Sequence, residues 1–267
     1  MTSVTTFPLY EENRHAFLLL GWEEQEEEGV VQTNQYLLTS GDEAVLFDPG
    51  GAHVFPQVLA NVAERVDLAS VRHIVYSHQD PDVSSGITLW LSIAPRAQIH
   101  ISGLWTRFLP HFGIYDQKRI TAIADQGGTL TLKGGDVIDL IPAHFLHSTG
   151  QFCAYDRRSK ILFSGDIGAA IFPPGKRYPL AEDFAAHVRY MEGFHRRYMA
   201  SNVACRRWAD LVSRYDVQII APQHGAVLKG PAVKAFLDWF RELRCGVDTI
   251  DDWFGKGPSA LTPGRTR

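Results

Sequence analysis

Four short stretches rich in His and Asp each follow directly on a run that reads as a β-strand, and this pattern constrains the fold more than any other feature of the chain. Val71 to Tyr76, rich in β-branched residues, leads into Ser77-His78-Gln79-Asp80-Pro81-Asp82-Val83. The run ending at Ile141 leads into Pro142-Ala143-His144-Phe145-Leu146-His147-Ser148. Ile161 to Phe163 leads into Ser164-Gly165-Asp166, and Val217 to Ile220 into Ala221-Pro222-Gln223-His224-Gly225. Loops at strand ends on a rigid scaffold are where sites are built, so the fold is expected to gather these four stretches.

In an extended segment His78, Asp80 and Asp82 point to one side, since alternate residues share a face. Pro81 argues against a regular helix there. Two carboxylates and an imidazole held close repel one another or shift their protonation unless a cation neutralises them. His147, Asp166 and His224 complete a candidate set of six metal ligands.

The elements around them alternate in type. Strands are expected at Val30 to Leu38 and Glu43 to Phe47, joined by the turn Ser40-Gly41-Asp42 and feeding Asp48-Pro49-Gly50-Gly51. Val54 to Val62 has helical spacing. A helix capped by Ser84 or Ser85 and stopped at Pro95 follows the first His/Asp stretch, and Gln98 to Ile101 is the next strand. Two hairpins follow, Thr129–Leu132 with Val137–Ile141 and Phe152–Tyr155 with Ile161–Phe163. Ala181 to Tyr215 reads as helix punctuated near Gly193 and Asn202, and Ala232 to Leu243 closes the chain. Hairpins mixed with helices predict a layered α/β protein with mixed sheets. No internal repeat and no interior linker is evident, so a single domain over 1–267 is expected, with its core at about 30–230 and a frayed tail at 255–267.

The formal net charge of −4 argues against nucleic acid or a membrane surface as partner. The first apolar run, Phe17 to Leu20, is too short for a signal-peptide core or a membrane span. Three widely spaced cysteines, Cys153, Cys205 and Cys245, fit neither a disulfide framework nor a CxxC zinc site. They read as buried thiols in a reducing, cytoplasmic compartment.

The ordered set H-x-D-x-D, then His, Ser-Gly-Asp and Gln-His-Gly resembles the metallo-β-lactamase superfamily over residues 30–230. It is most similar to the lactamase-like diiron domain of flavodiiron proteins and to stand-alone oxygen-binding diiron proteins. Hydrolytic members typically carry H-x-H-x-D-H, whereas Asp80 stands here in place of the second His, as a carboxylate does in the diiron branch. The intervals from 78 to 147, 147 to 166 and 166 to 224 suit that branch. The resemblance implies an αββα sandwich, two mixed sheets with helices on the outer faces. It implies that His78, Asp80 and His147 hold metal one, that Asp166 bridges, and that Asp82 and His224 hold metal two. One departure stands out: the family often has a further His after the second carboxylate, and this chain has Val83, which leaves metal two more open. Asp48 resembles a structural Asp that braces the metal loop.

An oxygen-rich site without thiolates suits iron or manganese as well as zinc, and the resemblance favours two iron ions. A flavodoxin unit of ~150 residues would not fit beside this one, and no Gly-rich phosphate loop follows a strand and opens a helix. No FMN site is therefore expected in the chain. The functions that follow are binding of O₂ or NO as a sensor, or their reduction with electrons from a separate protein. The alternative is a dinuclear zinc metallohydrolase acting on an ester, thioester or phosphodiester; a third is a binding protein that has lost one metal. A signalling partner and a homodimer are compatible with all three. Among bystanders, His144 is expected beside the site or at the surface, Glu23 to Glu28 as a solvated acidic loop with Glu28 able to reach the pocket, and Tyr178 in surface packing or lining the pocket. Phe194, Tyr198 and Trp208 are expected between helices.

Overall fold

The structure, a computed structural model, describes residues 5–22 and 31–254. The acidic run 23–28, Glu28 included, and the segment 255–267 lie outside the described residues.

The first sheet opens with four antiparallel strands, β1 (Thr5–Glu12), β2 (His15–Trp22), β3 (Gln35–Ser40) and β4 (Glu43–Phe47). Asn13 and Arg14, both at positive φ, make the two-residue turn between β1 and β2, as the right-handed twist of a hairpin favours. From β4 the pairing turns parallel. Helix α1 (Phe55–Ala63) crosses to β5 (Val71–Val75), and α2 (Pro81–Ser84) with α3 (Ile87–Ile93) crosses to β6 (Gln98–Ser102) and on to β7 (Ile120–Ile123). The second sheet repeats this plan. Strands β8 (Gly128–Thr131), β9 (Val137–Pro142), β10 (Phe152–Asp156) and β11 (Ile161–Gly165) are antiparallel. After β12 (Leu180–Ala181), α4 (Phe184–Tyr198) and α5 (Asn202–Val212), strand β13 (Ile219–Pro222) lies parallel to β11. Strand β14 (Val227–Lys229), α6 (Pro231–Glu242) and α7 (Ile250–Phe254) complete the described chain. The strand orders are β1-β2-β3-β4-β5-β6-β7 and β12-β14-β13-β11-β10-β9-β8.

Three apolar layers follow from the strand alternation. Inward residues of both sheets, among them Phe17, Tyr36, Phe47 and Phe163 with ring centroids 5.4–6.0 Å apart, form the middle layer. The outward residues of the first sheet pack on α1, α2 and α3, and those of the second on α4, α5 and α6. This is the expected αββα arrangement. Among the described residues no helix is long and apolar enough to cross a membrane.

The structure departs from the expectations in instructive places. The hairpin β1–β2 was not anticipated, and Phe17 to Leu20 is a buried stretch of β2. Of the next strand expected, Val30 to Leu38, Val30 lies outside the described residues, and β3 begins at Gln35. The helix expected after Ser84 starts at Pro81, with Asp80 in extended conformation as its N-cap. Proline is well suited to the first helical position, where its missing N–H would have had no partner, so Pro81 opens a helix instead of forbidding one. Helix α4 runs through Gly193 without interruption, and the break falls at Met199–Ser201. All three cysteines are buried and free, with Cys205 Sγ 3.6 Å from Cys245 Sγ.

At the end of the sheets where β4 and β11 begin, a polar tie joins the two layers. The fully buried His15 of β2 lies 2.9 Å from Asp136 Oδ2 through Nδ1 and 2.6 Å from Asp156 Oδ2 through Nε2. Ser40 and Arg158 also reach Asp136, and Ser159 reaches Asp156.

Candidate metal centre

The opposite strand ends gather all six predicted ligands. His78 follows β5, His147 lies in the loop between β9 and β10, Asp166 follows β11, and His224 follows β13. Asp82 sits in the first turn of α2 and Asp80 at its N-cap position, with the side chain left free of any capping bond, so these two carboxylates are aimed by a helix start and not by a continuous extended run.

The three imidazoles and three carboxylates converge on a common region. His78 Nε2 lies 3.7 Å from Asp166 Oδ1 and 3.9 Å from Asp80 Oδ2. His147 Nε2 is 2.9 Å from Asp80 Oδ2 and 3.5 Å from Asp166 Oδ2. His224 Nε2 is 3.3 Å from Asp82 Oδ2 and 3.7 Å from Asp166 Oδ1. Most of these separations are too long for good hydrogen bonds. Ligands that share a cation at about 2.1 Å lie about 3.0–3.6 Å apart; two of the six separations, 3.3 and 3.5 Å, fall in that range and the other four lie within about 0.3 Å of it. His78, His147 and Asp166 form the tightest trio, with donor atoms within 4.8 Å of one another. Asp166 occupies the middle: Oδ1 faces two imidazoles, Oδ2 faces the third, and Oδ1 is buried without a hydrogen-bond partner. A buried lone carboxylate oxygen is costly unless something pairs with it, and a cation would.

Supporting groups set the imidazole tautomers. Asp48, in left-handed backbone after β4, accepts from the Ser77 amide at 2.7 Å and, at very short range, from the Ser77 hydroxyl. With its one proton so engaged, Ser77 Oγ accepts from His78 Nδ1 at 2.8 Å, which leaves Nε2 bare toward the cluster. Gly165, at φ +57°, makes room for this: a Cβ there would lie 2.7 Å from Ser77 Oγ. Asp48 therefore braces the loop, as expected. His224 donates through Nδ1 to the Gln32 carbonyl at 2.6 Å, which again leaves Nε2 for the cluster. His147 is held otherwise. Its Nδ1 is buried without a partner, and its ring is covered by Phe194, stacked at 5.6 Å, and by Tyr198 at 5.3 Å. These two aromatics of α4, expected between helices, thus wall the site.

Burial pushes His78 down despite Asp166. At His224 burial acts in the same direction, but Asp166 and Asp82 overcome it and hold the imidazole up at about 9. Burial alone would raise Asp82, yet its contact with His224 brings the carboxyl down to about 2. The His147 contact likewise lowers Asp80. Burial drives Asp48 up to about 8 against the two bonds from Ser77.

Several positioning groups had no signal in the sequence. Gln79 donates to Asp80 Oδ1 at 3.1 Å and accepts from Ser148 Oγ at 2.7 Å, tying the loop of His78 to that of His147. His195, fully buried on α4, accepts from the Gly168 amide at 3.0 Å and donates to the Met191 carbonyl, which fixes the turn after Asp166. Asn34 Nδ2 donates to the Pro222 and Gly225 carbonyls on either side of His224. The other expectations resolve simply. His144 bonds the Asp125 and Thr149 carbonyls and stands outside the donor set. Tyr178 bonds His187 Nδ1 at 2.8 Å, and Trp208 lies in the apolar layer under α5 and α6.

The His147 loop is also anchored outward. Phe145 and His147 both have positive φ. Leu146 pairs with Met199, the Phe145 carbonyl accepts from the Ala200 amide at 3.0 Å, and the Ala200 carbonyl accepts from the Val247 amide at 2.9 Å.

An αββα sandwich with His and Asp donors converging from four strand ends defines a protein of the metallo-β-lactamase class, in its carboxylate-rich form. The comparisons agree. A family model described as "ODP family beta lactamase" matches residues 31–225, and the chain belongs to that family. It is similar to a solved structure titled "Peroxy diiron species of chemotaxis sensor ODP", at 46% identity, 92% of this chain, 99% of that one and a TM-score of 0.84. The apo state of the chemotaxis sensor ODP from T. denticola gives 44% identity, 94% and 100% coverage and the same TM-score. Flavo-diiron protein FprA2 of Clostridium acetobutylicum is 23% identical over 199 residues. The chain spans 33% of the length of one curated flavoprotein relative and 49% of FprA2. A flavo-diiron protein from Thermotoga maritima, at 18% identity and a TM-score of 0.74, shares the fold.

Proposed function

We propose that this chain holds two iron ions at the strand-end cluster and binds O₂ there as a sensor. His78, Asp80 and His147 would hold one ion, Asp82 and His224 the other, and Asp166 both. The observation that carries this reading is the buried, unpartnered Asp166 oxygen lying 3.7 Å from imidazoles on either side. Likeness to a protein titled as a diiron chemotaxis sensor supports iron and oxygen over zinc and hydrolysis, as does Asp80 in place of a softer imidazole. Three carboxylates would offset most of the charge of two divalent ions.

Bound ferrous ions would supply the electrons and Lewis acidity with which a diatomic gas is held. The chain does the rest. Ser77 and the Gln32 carbonyl hold the Nδ1 of His78 and His224, so that Nε2 of each faces the cluster, where His224 would release the proton it carries on binding an ion. Phe194 and Tyr198 cover the His147 ring. Electrons for any turnover would come from a separate protein, and a signalling partner would read the bound state.

The test is anaerobic reconstitution with ferrous iron, metal analysis, and a visible spectrum before and after air or NO. Two irons per chain and a new absorption band on gas exposure are expected. Zinc retention with ester or phosphodiester turnover, and no spectral response from the iron-loaded protein, would refute the reading in favour of the hydrolase.

A further inference from the structure

Val83, at the position where the resembled diiron proteins often place another His, is fully buried in the apolar layer with Ile87 and Trp90. That leaves Asp82, Asp166 and His224 for metal two. Against Asp82 stands the first residue of the Gln-His-Gly stretch, to which the resemblance assigns no metal. Gln223 is completely buried, and its backbone is fixed from both sides: its amide donates to the Gly165 carbonyl at 2.7 Å, and its carbonyl accepts from the Asn34 amide at 2.6 Å. Its side chain ends at the cluster, with Nε2 3.4 Å from Asp82 Oδ2. The other end of the amide, Oε1, is buried without a partner.

Two facts make this amide more than filling. The 3.4 Å to Asp82 is a weak hydrogen bond, yet it is the spacing of about 3.4 Å between two tetrahedral ligands on a cation at about 2.1 Å. A side-chain amide also exchanges its N and O by half a turn with no change of shape. Facing a bare carboxylate, it presents N–H. Facing a carboxylate that carries a cation, it presents oxygen.

We propose that Gln223 is a further ligand of metal two, through Oε1, taking the coordination position that Val83 leaves unfilled. This rests on the diiron reading above and names an additional residue of the same centre.

The experiment is anaerobic ferrous-iron titration of the full chain against a competing chelator, with circular dichroism to confirm folding, for the parent, Gln223→Leu and Gln223→Glu. Gln223→Leu should keep one tight ion and bind the second at least tenfold more weakly. Gln223→Glu, which keeps an oxygen but cannot donate to Asp82, should hold both ions at or above parental affinity. Loss of the second ion in Gln223→Glu would show that the amide acts only as a donor to Asp82 and would overturn the proposal. So would parental affinity in Gln223→Leu, while a parent that takes up fewer than two ions would overturn the diiron reading and this one with it.

Discussion

Each imidazole at the centre is turned by its own device, and the devices differ in how visible they are along the chain. The six donors announce themselves as ionisable residues placed where strands end. Gln79 does not: an uncharged amide carries no such signal, and its partner Ser148 is 69 positions away. The same holds for Gln223, whose contact with Asp82 spans 141 positions. Because Gln79 ties Asp80 to the His147 loop, Gln79→Leu should weaken the first ion by roughly tenfold or more, as loss of an outer partner commonly does; the same chelator titration reads it. Asp166→Ala should go further. With the central carboxylate gone, both ions should be lost, which metal analysis after gel filtration would show.

The elements were legible where periodicity is strong and misread where a single residue has two possible meanings. Pro81 excludes the middle of a helix but favours its first turn, and only the neighbouring strand end decided between them. Phe194 and Tyr198 have the spacing of helix-packing residues, but the ring they cover belongs to a loop distant in sequence. The joint between the chain after α4 and the chain after α6 depends on Gly246 at φ +50°. A Cβ there would lie 2.2 Å from the Ala200 carbonyl oxygen and 2.3 Å from that of Met199. Gly246→Ala should therefore cost more than about 2 kcal/mol, of which the left-handed backbone accounts for about 1–2 kcal/mol. Urea melts of the metal-free protein would check it. The sequence hid this joint because both sides of it are backbone.

At the scale of the whole molecule, the sandwich has a chemical end and a structural end. The hairpin carrying His15 was invisible to a reading focused on the site, since its alternation is irregular and its polar residue is satisfied only by Asp136 and Asp156 from the other sheet. Burial lowers the His15 imidazole, but Asp156 and then Asp136 outweigh it, and its pKa is raised above 6.5. Arg158 and Ser40 bond Asp136, and the Tyr10 ring packs edge-on against His15. A group raised on folding adds stability that is complete below pH 6.5 and fades as pH climbs through its folded value. The stability difference between parent and His15→Asn should shrink from pH 6 toward pH 9 in denaturant melts; a constant difference would show that His15 is not charged. The ladder from the His147 loop through Ala200 ends at Val247, a residue 61% exposed. Two backbone hydrogen bonds thus link the loop that carries His147 to an exposed residue beyond α6. Metal loading should slow hydrogen exchange of the Val247 amide, as mass spectrometry of that segment would record. A protein that seated itself on Val247 would then bear on the backbone of the loop that carries His147 while touching none of the six donors.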